Sequence, residues 1–490
     1  MSSYPRVASL KTVEAFRERL TALNLSIGCD DSILKAPESP LAQPLDIQGI
    51  GAGGFRIGNR WVIHPMEGWD AEDDGSPSEL VRRRWRNFGR SGAKWIWGGE
   101  AMAVQHDARA NPNQLVLNEQ TKDGLARLHD ELVDVHRESF GTSDDLLVGF
   151  QLTHSGRFSR PTKDGPAPQI LYRHPILDRK FHLSDDHPVL SDDDVARIIE
   201  RFVAAARVAE HCGAKFVDVK HCHGYLGHEF LSAYSRPGRY GGSFENRTRF
   251  LREVVAGIRA GTKLAVAVRL SGFDFAPFRP DPELSEGLKL GPGIPEDFSG
   301  QLPYEYGFGT KRDEPLSYQV EEATQFIELL GSLDIRMVNV SAGSPYYNPH
   351  IQRPALFPPS DGYQPPEDPL AGCARQIEFT AKIKKLFPDA AIVGTAYSYL
   401  QEYLPHVAQW AVRSGGTDAV GLGRMVLSYP TLPRDVLEKG TLEAKRLCRT
   451  FSDCTTGPRA GLISGCFPLD PFYRGLPEAK TVREIKARLK

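Results

Sequence analysis

Eight short, almost continuously apolar runs recur between residues 60 and 424, each followed by a longer polar-and-apolar stretch. No other feature constrains the fold as much. The runs are RWVIHP (60–65), KWIWGG (94–99), LLVGFQLTH (146–154), FVDVKH (216–221), LAVAVRLSG (264–272), IRMVNVSAG (335–343), AAIVGTA (390–396) and DAVGLGR (418–424). Strands apolar on both faces belong in a parallel sheet covered on both sides. The intervening runs 77–90, 121–138, 191–212, 243–260, 318–331, 371–386 and 401–414 read as helices. In the run from 191, Ser191 is a good N-cap and three aspartates fill the first turn. Val195, Ile198, Ile199, Phe202 and Val203 then form one apolar stripe. Eight strand–helix units predict an α/β fold, a single (β/α)8 TIM barrel. An open doubly wound sheet is the alternative, and eight regular units fit closure better.

Three segments fall outside this rhythm. Residues 1–45 form an N-terminal extension with one short helical stretch (Lys11–Leu23), and residues 441–490 form a C-terminal extension. The barrel spans 46–440 and carries insertions after its fifth and sixth strands, at 273–317 and 344–370. Both follow the C-terminal ends of strands, where barrel active sites lie, so the first is expected to be a lid or subdomain. Gly49-Ile50-Gly51-Ala52-Gly53-Gly54 matches a dinucleotide fingerprint, but FRIGNRWVIHP after it reads as a strand rather than the required helix. It is expected to be a loop.

The 490 residues carry 60 Lys+Arg against 62 Asp+Glu, a net charge of -2, which leaves no electrostatic footprint for nucleic acid or an anionic membrane. No run approaches the ~20 apolar residues of a membrane span, and MSSYPRVASL does not read as a secretion signal. Seven scattered cysteines argue for a reducing compartment. The expectation is a cytoplasmic protein acting on a small-molecule substrate, without nucleic acid or membrane partners; a homo-oligomer stays open.

Polar residues gather where the strands end. QLTHSGR (151–157), KHCHGYL (220–226) and RLS (269–271) close strands three, four and five, Gly394-Thr395 closes strand seven, and Gly423-Arg424 closes strand eight. Barrels commonly bind phosphate after strands seven and eight, where glycine lets backbone N–H groups approach and arginine grips with a bidentate fork. The bland alternative for Arg424 is a loop salt bridge.

The segment FVDVKHCHGYLGHEFLSAYSRPGRYGGSFENRTRF (216–250) resembles the signature of the old yellow enzyme (NADH:flavin oxidoreductase) family. NRWVIHPM, QLTHSGR, AVRLS and GLGR follow that family's order and spacing, and the similarity runs over about residues 45–470. It lies nearest the branch of dienoyl-CoA reductases and trimethylamine dehydrogenase; the stretch after Arg424 is too short for their dinucleotide domains. The resemblance implies FMN at the barrel mouth. Gln151 would bond the flavin pyrimidine edge and Arg269 would sit by N1/O2, while Pro65, Met66 and Ala101 line the ring. Gly394, Thr395, Gly423 and Arg424 would hold the phosphate, and Tyr225 stands in the place of the proton donor, a core tyrosine being the alternative.

The chain also departs from that pattern. The family's substrate-binding His/His or His/Asn pair becomes Lys220 and His223, with His221 turned to the opposite face. Lys220 is either an oxyanion clamp or the partner of Asp218 in a structural ion pair. Glu67 stands among the cofactor-contacting residues where Thr or Cys is usual, and a carboxylate there disfavours negative charge on a reduced ring. Trp69 stands at an aromatic substrate-facing position or is core packing, and Tyr346 and Tyr347 in the second insertion are further substrate-binding candidates. Cys448, Cys454 and Cys466, spaced C-x5-C-x11-C with Phe451 at an expected cysteine, read as a degenerate motif, so a [4Fe–4S] cluster is not expected. His221, Cys222, His223 and His228 do not form a chelating face for zinc.

The leading expectation is an FMN-dependent, ene-reductase-like oxidoreductase. NADH or NADPH supplies the hydride, flavin N5 passes it to a carbonyl-conjugated alkene, Lys220 and His223 hold the carbonyl oxygen, and Tyr225 donates the proton. Two other enzyme classes stay open: a flavin-dependent dehydrogenase or demethylase of an amine, alcohol or ring substrate, and an aldolase-type lyase with Lys220 as Schiff-base lysine. A barrel that has lost activity and only binds is a third.

Overall fold

All eight apolar runs form strands, and the strands close into one ring. The computed structural model describes residues 4–51 and 53–488. The barrel strands are β1 (Trp61–Ile63), β2 (Trp95–Ile96), β3 (Leu147–Thr153), β4 (Phe216–Val219), β5 (Ala265–Ser271), β6 (Met337–Ser341), β7 (Ala391–Gly394) and β8 (Ala419–Leu422). Each pairs in parallel with the next, and β8 returns to β1 through the register Gly421↔Val62. This is a (β/α)8 barrel. Its barrel-strand residues are almost all buried, as the continuous apolar runs require.

Helices Glu79–Gly89, Lys122–Phe140, Asp192–His211, Arg249–Gly261, Glu321–Ser332, Pro369–Leu386 and Leu404–Arg413 lie where the amphipathic runs predicted them. The helix from Asp192 opens with a full capping box: Asp194 N donates to Ser191 Oγ at 3.1 Å, and Ser191 N donates to Asp194 Oδ2 at 2.8 Å. The stripe holds as well, with Val195, Ile198 and Phe202 buried.

The bottom of the barrel is plugged. Trp95, Trp97 and Phe216 pack edge-on and tilted inside it, and the antiparallel hairpin Leu45–Ile47/Phe55–Ile57 adds Ile47, Ile50 and Ile57 from below. The glycine-rich stretch is therefore the turn of this hairpin, not a dinucleotide loop; Ala52 within it lies outside the described residues.

The two insertions differ in use. The first holds a small antiparallel pair, Phe278–Pro280 with Gly293–Pro295. It buttresses the second: buried Asp274 accepts from Tyr347 Oη and Asn348 Nδ2, both at 2.5 Å. The C-terminal extension folds back across the barrel mouth, tied by Arg83–Asp470 at 2.9 Å and by Trp69 N donating to Ser464 Oγ at 2.9 Å.

One buried ion triad fixes the loops after β1 and β2. Arg84, on the helix between them, donates to both carboxylate oxygens of Asp70 at 2.7 and 2.8 Å and to Glu100 Oε1 at 2.7 and 2.9 Å. Arg84→Met leaves two buried carboxylates facing each other, and it is expected to lower folding stability by about 3–5 kcal/mol in urea titrations. A loss below about 1 kcal/mol would show that water satisfies the triad.

Candidate active site

A cavity of about 320 Å3 opens at the C-terminal ends of the strands. Its wall includes Pro65, Met66 and Glu67 after β1, Ala101, Gln151 on β3, Lys220, His223 and Tyr225 after β4, and Arg269 on β5. Thr395, Gly423, Arg424, Trp69 and Tyr346 line it too, so the strand-end residues singled out in the sequence converge. Gly394, the last residue of β7, is not in the wall, and an added Cβ there would come within 3.2 Å of Tyr397. Tyr347 is not in the wall; the Asp274 carboxylate pulls its hydroxyl into the buttress. The first insertion gives the wall no residue.

Asp218 organises one side. It is fully buried and accepts from Gln151 Nε2 at 2.6 Å, Trp97 Nε1 at 2.8 Å and Arg269 N at 2.7 Å. Burial still pushes its carboxyl above the usual carboxylate range against these donors. The ion pair between Asp218 and Lys220 does not form, because three neutral donors already occupy the carboxylate.

Lys220 and Arg269 are therefore buried cations without an ion-pair partner among the described residues. Lys220 Nζ sits 3.8 Å from the centre of the Tyr225 ring, and burial pulls the ammonium down to about 8. Arg269 has one guanidinium contact, Nη1 to Pro65 O at 3.4 Å, and its Nε has no partner. His223 reaches the cavity through a left-handed turn (φ 67°), and its Nε2 lies 3.1 Å from Ser341 Oγ. Burial and the neighbouring cations hold it well below the ordinary imidazole value, so it is neutral. His221 points away, against Phe250 and Phe326.

The far end holds a second pair of cations. Arg424 Nη1 donates to Thr455 Oγ1 at 2.8 Å, and Arg353 Nη1 donates to Ser452 Oγ at 3.1 Å. Neither has a carboxylate partner among the described residues, so Arg424 is not a loop salt bridge. Burial, then the charge of Arg353, pull Arg424 down to about 9. A Cβ added at Gly423 would meet nothing within 4 Å, so the backbone is bare toward the cavity. Two arginines beside open backbone make an anion cradle. Thr395 gives its hydroxyl proton to Gln376 at 2.9 Å, which leaves its oxygen as an acceptor.

Arg353 and the wall residues Thr450, Ser452, Thr455 and Arg459 escaped the sequence reading, since they lie in the second insertion and the C-terminal extension. No periodicity marks such positions. The cysteines cluster close by: Cys448 Sγ lies 3.9 Å from Arg353 Nη2, and Cys454 borders the cavity. Among the described residues no group of three or more His, Cys, Asp or Glu is arranged to hold a metal ion. Phe451, at the expected cysteine position, packs on Phe357.

The residues present fit a ligand carrying a phosphate at one end and hydrogen-bonding groups at the other. Arg269, with its orphaned Nε, and Gln151 face the strand-three side, and the bare Gly423 backbone with Arg353 and Arg424 faces the other.

Residues 41–282 match the model of the NADH:flavin oxidoreductase / NADH oxidase family. The chain is 24% identical over 363 residues to an NADH:flavin oxidoreductase of Gibberella zeae, covering 71% of this chain and 74% of that protein. It is 32% identical over 207 residues to an NADPH dehydrogenase of Clostridium acetobutylicum, covering 41% of this chain and 56% of that protein. In fold it is similar to 2-naphthoyl-CoA reductase in complex with 2-naphthoyl-CoA (TM-score 0.62, 19% identity, 89% of this chain, 57% of that chain). It is likewise similar to the old yellow enzyme homologue from Zymomonas mobilis (TM-score 0.55, 21% identity, 82% of this chain, 94% of that chain).

The cradle makes a direct prediction. Gly423→Ala should change intrinsic stability by no more than about 0.5 kcal/mol, yet abolish most of the stabilisation that saturating FMN confers, about 2.7 kcal/mol at one hundred times Kd. Arg353→Ala and Arg424→Ala should each weaken FMN binding by about tenfold, the loss of one charge-assisted contact. Thermal melts with and without FMN read all three, and an unchanged FMN shift in every variant would refute the cradle.

Proposed function

This chain belongs to the NADH:flavin oxidoreductase / NADH oxidase family, and on that footing we propose that it is an FMN-dependent oxidoreductase that uses NADH or NADPH to reduce an alkene conjugated to a carbonyl group. One observation carries the proposal. Four cations face a single cavity with no carboxylate partner among the described residues: Arg353 with Arg424, and Lys220 with Arg269. Uncompensated charge of this kind is stable when a ligand brings the opposite charge.

Arg353, Arg424 and the Gly423 backbone would hold the FMN phosphate, and Gln151, Arg269, Pro65, Met66 and Ala101 would hold its ring system. When bound, FMN supplies a two-electron store that accepts hydride from the nicotinamide and returns it to substrate. The chain's own residues do the rest. The Lys220 ammonium and the His223 imidazole hold the substrate's carbonyl oxygen and stabilise the charge that grows on it as the double bond is reduced. The Tyr225 hydroxyl donates a proton to the carbon beside that carbonyl. Tyr346, stacked on Phe158 with ring centres 4.0 Å apart, and Trp69 wall the substrate space.

A second reading, oxidation of an alcohol or amine, draws on one contact: the Tyr225 hydroxyl donates to the Glu67 carboxylate, an arrangement suited to taking up a proton. The Schiff-base reading of Lys220 has no such support in a flavin-dependent family.

The FMN-loaded protein is expected to bleach on anaerobic addition of NADH or NADPH and to recover its colour with an unsaturated ketone. Lys220→Met should slow that recovery by about 100-fold, as removal of an oxyanion donor does. Burial lowers the Lys220 value to about 8, so the ammonium is present below that pH and lost above it. The oxidative rate should therefore fall as pH rises past 8, and the Met variant should lack that fall. A wild-type rate independent of pH between 7 and 9 would remove Lys220 from the oxyanion role.

A further inference from the structure

Glu67 takes no part in holding FMN or substrate in this scheme, yet it touches the group that serves as the acid. It lies just past β1, half-buried in the cavity wall. The Tyr225 hydroxyl donates to Glu67 Oε2, Asn111 Nδ2 donates to Glu67 Oε1 at 3.2 Å, and the Tyr346 hydroxyl stands 2.7 Å from that of Tyr225. A carboxylate only accepts, and a phenol has one proton. The direction of the chain follows: Tyr346 donates to Tyr225, and Tyr225 donates to Glu67. With its proton committed, Tyr225 has none for a substrate carbon. It gains a spare one only when Glu67 is itself protonated, because the carboxyl then donates back to the phenol oxygen.

We propose that Glu67 is the positioning residue and proton reservoir of Tyr225, loading the acid from solvent before each turnover. The inference rests on Tyr225 as the proton donor. In the alkene-reducing direction the Tyr225 O–H bond breaks and the proton joins the substrate carbon as hydride joins the other alkene carbon. The resulting phenolate takes the Glu67 carboxyl proton, and hydronium from the cavity water reloads the carboxylate. Run in reverse, the same path carries a substrate proton out through Tyr225 to Glu67 and water.

The surrounding charges suit this path. The Lys220 ammonium over the Tyr225 ring favours the transient phenolate, with Arg269 beside it on β5. Tyr346 supplies a second hydroxyl, Arg459 acts on Tyr346 from the C-terminal extension, and Asn111 keeps the carboxylate turned toward the phenol. Burial and then the Glu67 charge raise the Tyr225 hydroxyl well above its ordinary value, so the phenol is a poor acid until that charge is neutralised.

The test uses the full chain loaded with FMN, reduced anaerobically with NADPH and mixed with 2-cyclohexenone, the flavin absorbance being followed across pH. Wild type is expected to lose rate as pH rises past about 8, where Lys220 gives up its proton. Glu67→Gln should keep that step and slow the reaction by about 100-fold, the span of general acid catalysis, through kcat rather than KM. Glu67→Asp, which keeps a carboxyl group, should recover part of the lost rate, and it carries the test alone if the Gln variant does not fold. Tyr346→Phe should slow the reaction far less than Glu67→Gln. A wild-type rate in Glu67→Gln, or a Glu67→Asp variant no faster than Glu67→Gln, overturns the inference. A wild-type protein that binds no FMN, or is bleached by neither NADPH nor NADH, instead defeats the flavin reading beneath it.

Discussion

Positive charge at the barrel mouth goes unanswered, and the structure is arranged around that fact. Elsewhere buried arginines are answered: Arg84 by Asp70 and Glu100, Arg157 by Glu229 and Asp178, and Arg109 by four backbone carbonyls. At the mouth the cations are not. Burial, helped by Arg269 and opposed by Glu67 and Asp218, brings Lys220 down to about 8, and burial with a neighbouring arginine brings Arg424 down to about 9. Both shifts point the way burial pushes a cation that no carboxylate touches. Replacing either residue with an apolar one would relieve that burden, and an anionic ligand would supply the missing charge.

Asp218 makes the arrangement work by being unavailable. A single carboxylate two positions before Lys220 would ordinarily capture the ammonium. Here Trp97 rises from β2, Gln151 from β3 and the Arg269 amide from β5 to occupy its oxygens. Gln151 and Arg269 still line the cavity, and Lys220 is left to lie over Tyr225. Strand register thus does electrostatic as well as steric work: β4 and its two neighbours must meet at Asp218 for the cations to stay free.

The sequence disclosed what is local or periodic. Parallel strands buried on both faces leave continuous apolar runs, so all eight could be placed within a few residues, and the strand-end motifs carried Gln151, Lys220, His223, Tyr225, Arg269 and Arg424 with them. What it hid is long-range. Glu67 and Tyr225 lie 158 positions apart, and nothing in either neighbourhood says that the loop after β1 bends toward the one after β4. Arg353 sits in a proline-rich insertion without pattern, and Thr450 to Gly465 reach the cavity only because the C-terminal extension folds back across the mouth. Tyr346 and Tyr347, adjacent in sequence, take opposite fates because Asp274 draws only the second into the buttress.

This division between barrel and appended segments bears on how the site can be specific. The groups that would hold FMN stand mostly on β1, β2, β3, β5 and β8 or after them, in rigid backbone paired on both sides. The exception is Arg353, which the second insertion contributes. Around the substrate space the balance reverses: Tyr346, Trp69 and Arg459 come from loops and extensions held by buttress contacts. A cofactor cradle needs fixed geometry, whereas a substrate wall is better placed on segments that vary in length and sequence without disturbing a strand register. The unusual Lys220 stands where the two regimes meet, on the rigid side by its strand and on the substrate side by the direction of its charge.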